Sequence, residues 1–376
     1  MELQPLDSIP QRISSSEYKS LHTNTGFPAI LNDRILKAAH GEEVDKIPIW
    51  IMRQAGRYLE EFRNLRVENE FFRICTTPRL ACEVTLLPIN LLPLDAAIIF
   101  SDILVIPQTM GMEVIMEKGK GPVFTHPLQT PEDINLLKIP DISTDYEPYL
   151  DAIFLTRHSL LGKVPLIGFC GGPFTLFTYM IEGQGSTVFT KSRRWIYQYP
   201  QETHRLLDML TNILCDFLLA QICSGAQMLQ IFESHAGILG PDEFEEFLLS
   251  YNRKIASFLK EKAKINPGLE APLIIFCKDA GYALESICQT EFDIIQIDWT
   301  VPIPRARELA NRYGKVLQGN LDPAALYASG DFIRQKATKM VETFGKEKYI
   351  CNLGHGIYPD TDPEKLRVYL ETVHSL

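Results

Sequence analysis

No uninterrupted apolar run in this 376-residue chain approaches the roughly 18 residues needed to cross a bilayer; even the longest, such as 96–100, fall far short. On that reading no segment spans a membrane. The eight cysteines include no C-x-x-C pair and no two at zinc-ligand spacing, so they read as buried thiols in a reducing compartment rather than metal ligands. A P-loop is missing as well. Gly183-Gln184-Gly185 is no dinucleotide fingerprint, because Val188 occupies the third glycine position and no strand directly precedes it. Basic blocks are also lacking. With 37 Lys and Arg against 47 Asp and Glu the net charge is −10, which opposes non-specific attraction to nucleic acid or anionic lipid. Any anionic ligand must therefore meet locally clustered arginines. Residues 1–26 have neither the apolar core of a signal peptide nor the arginine-rich pattern of a transit peptide, and are expected to form a flexible cytoplasmic extension.

What is present is ordinary globular material, 45% hydrophobic and 22% charged, enough for a large core. Eight short apolar runs flanked by turn residues read as strands: 47–52, 96–101, 164–169, 227–232, 273–277, 293–297, 315–318 and 349–352. Most are continuous rather than alternating, as strands buried on both faces of a parallel sheet require. Amphipathic helices are expected between them over 78–92, 149–161, 200–224, 241–264, 303–312 and 331–344, several opening at proline or an acidic residue. Alternating strand and helix leaves an open doubly wound sheet or a closed barrel. Eight strands favour the barrel, a single α/β (βα)8 TIM barrel over 27–376.

Polar or glycine-rich residues terminate nearly every run at its C-terminal end, the face on which such barrels build their active sites. Arg53 and Arg57 stand four apart beside Gly56 after the first run; two planar guanidiniums in one loop suit carboxylates. Asp102 lies inside the apolar run Phe100-Ser101-Asp102-Ile103-Leu104 and must be hydrogen-bonded, ion-paired or functional, with a helix cap as the bland alternative. Gly171-Gly172-Pro173 follows the third run, and Tyr179 sits on the helix beyond. Phe232-Glu233-Ser234-His235 ends the fourth, but Ser beside His is not a triad and no nucleophile elbow surrounds it. His355 stands between Gly354 and Gly356 after the eighth, which reads as a ring not walled in by neighbouring side chains.

Taken in order, Met52-Arg53-Gln54-Ala55-Gly56-Arg57-Tyr58-Leu59, Phe100-Ser101-Asp102-Ile103-Leu104, Gly171-Gly172-Pro173-Phe174-Thr175-Leu176 with Tyr179, Phe232-Glu233-Ser234-His235-Ala236-Gly237, Leu317-Gln318-Gly319-Asn320-Leu321-Asp322-Pro323 and Asn352-Leu353-Gly354-His355-Gly356 closely resemble the uroporphyrinogen decarboxylase family. The resemblance runs from about Phe27 to His374. It implies a homodimeric barrel that removes carbon dioxide from the four acetates of uroporphyrinogen, giving coproporphyrinogen in haem synthesis without metal or organic cofactor. It marks Arg53, Arg57, Asp102, Tyr179, Ser234 and His355 as site residues, with Phe232 beside them in the substrate-binding set, and Asp102, Arg53, His355 and Tyr179 as the catalytic group. The chain departs from the family where it has Glu60 in place of proline, Phe174 in place of tryptophan, and Asn90 and Leu91 where paired arginines are common. These departures are expected to weigh on substrate affinity rather than on chemistry.

Losing carbon dioxide from a pyrrole acetate needs an electron sink, and no cofactor motif supplies one. A pyrrole protonated at a ring α-carbon can serve, with the Asp102 carboxylate stabilising the cation and accepting the converging pyrrole N–H groups. The proton donor is expected to be His355 or a water polarised by Arg53, since a guanidinium, with its pKa above about 12, is a poor acid near neutrality. Two rivals remain at this stage. A methyl-transfer enzyme of similar fold would need a thiolate-rich zinc site, and His-x-Cys does not occur. A catalytically impaired paralogue would bind porphyrinogen or a partner subunit only.

Overall fold

The computed structural model describes residues 25–117 and 119–376, together with Ile9, Arg12 and Thr23. The extension expected over 1–26 thus lies mostly outside the described residues; Arg12 donates a hydrogen bond to Asp151. Seven parallel strands form one sheet in the order β1 (Ala97–Ile98), β4 (Leu166–Gly171), β5 (Met228–Glu233), β6 (Leu273–Cys277), β7 (Ile294–Gln296), β8 (Val316–Leu321) and β9 (Tyr349–Leu353), while β2 (Val114–Glu117) and β3 (Gly121–Phe124) pair as a separate hairpin. Helices connect successive strands, and the result is a TIM barrel, as eight alternating units require.

The strand expected at 47–52 is present only as a single parallel bridge, Ile49 to Cys351. Side chains have taken over part of its ladder. The Ile49 N–H donates to Asp95 Oδ2, Ile51 N–H to Gln54 Oε1 and Met52 N–H to Asn352 Oδ1. The segment still closes the ring: Cys351 N–H reaches Pro48 O at 2.8 Å and Asp95 N–H reaches Ile49 O at 2.8 Å, while Gln54 Nε2 donates to Ala96 O on the β1 side. The β2–β3 hairpin was not expected, and the helix expected over 241–264 is helical throughout but passes through a π turn at Glu245–Leu249 before Ser250–Ile265.

Inward-facing residues fill the barrel in layers. Trp50, Ile167, Met228, Ile274, Ile294, Val316 and Ile350 form an apolar cluster, and above it lies a buried amide network. Trp50 Nε1 donates to Gln318 Oε1 at 2.9 Å, and Gln318 Nε2 donates to Gln230 at 3.2 Å and Gln296 at 3.0 Å. Such a network fixes register because each misplaced member would strand a buried polar atom. The helix Pro200–Cys223 corrects the membrane estimate based on unbroken runs: it is long and apolar enough to span a bilayer, but 78% of its most apolar stretch is buried inside the protein. It packs against β4 and β5 as part of the barrel wall.

At the opposite end from the mouth, Asp95 pins the closure. Its buried carboxylate accepts from Asn32 Nδ2, Arg34 Nη1, Ile49 N and His374 Nε2, joining the chain entry, the first barrel segment and the last helix. Burial pushes its carboxyl up, but the bonds from His374 and Asn32 outweigh it and hold the group below its ordinary value. A depressed carboxyl stabilises fully above its unfolded value and loses that contribution as pH falls through the folded one. Asp95→Asn is therefore expected to cost roughly 2–4 kcal/mol at pH 7. In denaturation series at stepped pH, the gap to wild type should narrow below about pH 4; a pH-independent gap would mean that the charge is not what Asp95 contributes.

Candidate active site

The mouth of the barrel is assembled from the strand ends. Arg53 leaves the first segment with φ 65°, a left-handed turn held from below by Gln54, whose amide is buried against Ala96 O, and by Tyr58, whose hydroxyl donates to Gln54 O at 2.7 Å. The Arg53 stem then crosses Gly356: a Cβ at that position would sit 2.3 Å from Arg53 Cδ. Gly354 is needed equally, since its Cβ would meet the Trp299 backbone nitrogen at 2.6 Å. The glycines flanking His355 thus admit Arg53 and Trp299 close to the ring, rather than leaving it unwalled as expected. The imidazole is half-buried between Phe276, at 6.2 Å between ring centroids, and Trp299, at 6.5 Å. Phe169, Phe232 and Phe276 pack edge to face beneath it, forming an aromatic floor over the amide network.

Asp102 follows β1 and is half-buried. Its Oδ1 accepts the Leu104 N–H at 2.8 Å. Burial raises the carboxyl above its ordinary value, against the pull of that N–H and of Arg53. Tyr179 stands in the same field: burial and the Asp102 charge raise its phenol, and Arg53 opposes them. Sequence-distant Arg53, Asp102 and Tyr179 are therefore brought within electrostatic reach of one another, and His355 joins them through Arg53. Behind Asp102, between the barrel and its helices, lies a cavity of about 10 Å³ lined in part by Cys75, Tyr149 and Gln221, roughly the room of one water.

Tyr179 is placed by an interlock between β5 and the helix Pro173–Glu182. The fully buried Glu233 carboxylate accepts from Phe174 N–H, Thr175 N–H, Thr175 Oγ1 and Asn252 Nδ2, so a strand residue satisfies the helix's first turn. Gly172 leaves space for it; a Cβ there would lie 2.2 Å from the Glu233 carboxyl carbon. From the next residues of the same strand end, His235 bonds Thr178 Oγ1 at 2.5 Å through Nδ1 and packs on Tyr179 at 4.8 Å between centroids. Sequence reasoning missed Glu233 and His235 as site-building residues. The signal was present in a carboxylate placed at the end of a mostly apolar run, which must find donors once buried.

The remaining expected residues divide. Ser234 is half-buried at the end of β5, Phe232 belongs to the floor, and Arg57 is exposed at the rim. Two departures lose their bearing on affinity: Asn90 and Leu91 line a groove at the other end of the barrel beside Lys163 and Arg367, where Arg367 donates to Leu91 O. Phe174 is fully buried against Phe177, and Glu60 is the exposed first residue of the helix Glu60–Glu68, where an acidic side chain suits the helix dipole.

Both histidines are unprotonated near neutrality. Burial, Arg53 and Lys278 bring His355 down to about 4; burial and Lys278 bring His235 down to about 4. The expectation that an imidazole with an ordinary pKa supplies the proton does not suit His355 in this setting.

The uroporphyrinogen decarboxylase family model matches residues 31–376. The chain belongs to the uroporphyrinogen decarboxylase family. Uroporphyrinogen decarboxylases of Danio rerio and Homo sapiens are each 50% identical to it, covering 93% of this chain and 95% of theirs; that of Schizosaccharomyces pombe is 47% identical over 93% and 98%. Members of the family are carboxy-lyases of porphyrin synthesis, and so is this chain. The fold extends further: a methyltransferase from Methanosarcina mazei superposes with TM-score 0.76 at 22% identity, covering 92% of this chain and 99% of that one. At that identity the likeness is one of fold alone. Among the described residues no group of three or more His, Cys, Asp or Glu could hold a metal.

Proposed function

We propose that the mouth of this barrel is where uroporphyrinogen III loses carbon dioxide from its four acetates, one after another, to give coproporphyrinogen III, in a homodimer of the cytoplasm. Seven free, buried thiols, at positions 75, 82, 170, 215, 277, 288 and 351, support a reducing compartment. The observation that carries the site assignment is the placement of Asp102: one half-buried carboxylate, with Arg53 and Tyr179 in its field, above an apolar aromatic floor.

A domed tetrapyrrole presents N–H donors at its centre and carboxylates at its edge. Asp102 accepts the central donors. Arg53 and Arg57 meet edge carboxylates, and Tyr179 and Ser234 add neutral hydrogen bonds. Proton transfer to a pyrrole α-carbon makes the ring cationic. The bond from the acetate methylene to its carboxylate then breaks, carbon dioxide leaves, and the electron pair enters the ring. Protonation of the exocyclic methylene and return of the α-proton give the methyl group, so each turnover consumes one proton. The Asp102 charge stabilises the cation at each stage, and the phenylalanine floor strengthens that interaction by excluding water. Since His355 is neutral, the proton comes from a water oriented by Arg53, while His355 contributes a hydrogen bond.

The free protein should accordingly show no inflection of kcat/KM attributable to histidine between pH 6 and 8, because both imidazoles titrate at about 4. A limb near the ordinary histidine value that disappears in His355→Asn would restore the imidazolium as the acid. The function itself is tested by anaerobic incubation with uroporphyrinogen III after dialysis against chelator. Intermediates with seven, six and five carboxylates should precede a four-carboxylate product; activity appearing only on adding back metal or nucleotide would contradict the proposal.

A further inference from the structure

We propose that Lys278 is a third cation of the substrate site, holding an edge carboxylate across the mouth from Arg53, and that Asp279 occupies its ammonium until substrate arrives. This rests on the function proposed above.

In ring order the first segment, β1, β4, β5, β6, β7, β8 and β9 make eight places. Arg53 ends the first, and Lys278, directly after β6, ends the fifth. The two cations therefore stand on opposite sides of the ring. A tetrapyrrole whose centre lies at Asp102 spreads its carboxylates outward in all directions, so cations on one side only would leave the far edge unmatched.

Local structure aims Lys278 at that edge. Its N–H bonds Glu233 O at 3.0 Å, tying it to the strand end that carries His235. The next residue, Asp279, has φ 57°, and its N–H donates to the buried Asp298 carboxylate at 2.7 Å. Gly237 packs so tightly on it that a Cβ there would lie 2.5 Å from Asp279 Cβ. This fixed turn holds the Lys278 ammonium against the Asp279 carboxylate. The lysine side chain is 28% exposed and the aspartate 46%, so the pair is reachable by a ligand and its partner can be exchanged. After burial, Lys278 contributes to the depression of both His355 and His235, with Asp279 opposing it at His355, so its charge is felt at the mouth. An exposed Lys–Asp pair contributes little to folding, so stability alone gives this one slight value.

The test compares steady-state kinetics of Lys278→Gln, Lys278→Arg and Asp279→Asn with wild type at low and high salt, with melting temperatures as a folding control. Asparagine tolerates the left-handed backbone at 279. Lys278→Gln is expected to raise KM for uroporphyrinogen roughly tenfold with kcat within about threefold, and to flatten the salt dependence of KM. Lys278→Arg should recover most of the loss. Asp279→Asn should leave KM equal or lower, because it frees the ammonium. A KM within about twofold of wild type in Lys278→Gln, or an Asp279→Asn variant impaired as severely as Lys278→Gln, overturns the assignment. If wild type itself forms no product, the proposed function fails and this inference with it; an active wild type beside an unaffected Lys278→Gln removes the lysine alone.

Discussion

Asp102→Asn should lower kcat by roughly 10²- to 10³-fold, the usual cost of removing one preorganised electrostatic group, while its melting temperature stays near wild type. The structure sharpens this contrast. Asp102 Oδ1 accepts the Leu104 N–H, a local bond that an asparagine carbonyl can keep at little cost. Size and turn are therefore preserved, and only the charge is lost. Burial holds the Asp102 carboxyl above its ordinary value, against the Leu104 N–H and Arg53, and a cationic ring brought over it favours the charged carboxylate. Affinity should fall less than turnover, because the neutral pyrroles need an acceptor whereas the intermediate needs a charge. Near-wild-type kcat in a folded Asp102→Asn protein would remove Asp102 from the chemistry and leave the turn as its only role.

Gly172→Ala should be the most damaging small change at the site. Its methyl would lie 2.2–2.5 Å from the carboxyl group and Cγ of Glu233, a side chain with no exposure and four donors to satisfy. Shifting Glu233 strands the first amides of the helix that carries Tyr179, so both overpacking and lost hydrogen bonds contribute, together on the order of 3–5 kcal/mol. Turnover should fall too, since Tyr179 moves with its helix. Gly185→Ala is the control: a Cβ there meets nothing within 4 Å, and chemical denaturation should not distinguish it from wild type. Equal stability of Gly172→Ala and Gly185→Ala would show that the interlock is not rigid.

Seven of the eight expected strands lie where their apolar runs place them, because strands buried on both faces leave an unmistakable pattern. The first segment was legible as a run but not as a bridge. Part of its ladder is supplied by Asp95, Gln54 and Asn352 side chains, and no local pattern distinguishes a side-chain acceptor from a backbone one. Gln230, Gln296 and Gln318 likewise looked like interruptions of apolar strands and form the buried network under the site. Of the site, Arg53, Asp102, Tyr179 and His355 were legible because each follows a strand or sits on the helix after one. What they touch was not. That Gly354 and Gly356 serve the approach of Trp299 and Arg53 depends on segments far apart in sequence. The depression of His355 depends on its burial and then on Arg53 and Lys278, which come from separate strands, and only the assembled barrel sets it. The distance of Asn90 and Leu91 from the mouth follows from helix direction: the helix Pro78–Leu91 ends just before β1 begins, so its last turn lies at the end opposite the site.

The central claim is that this barrel decarboxylates all four acetates using only its own residues and the pyrrole as electron sink. Counting carbon dioxide released per uroporphyrinogen III by dialysed, metal-free protein under anaerobic conditions tests it most directly. The account predicts four per tetrapyrrole, with coproporphyrinogen III as the final product; release that is absent, or that appears only when a metal or organic cofactor is restored, would contradict it.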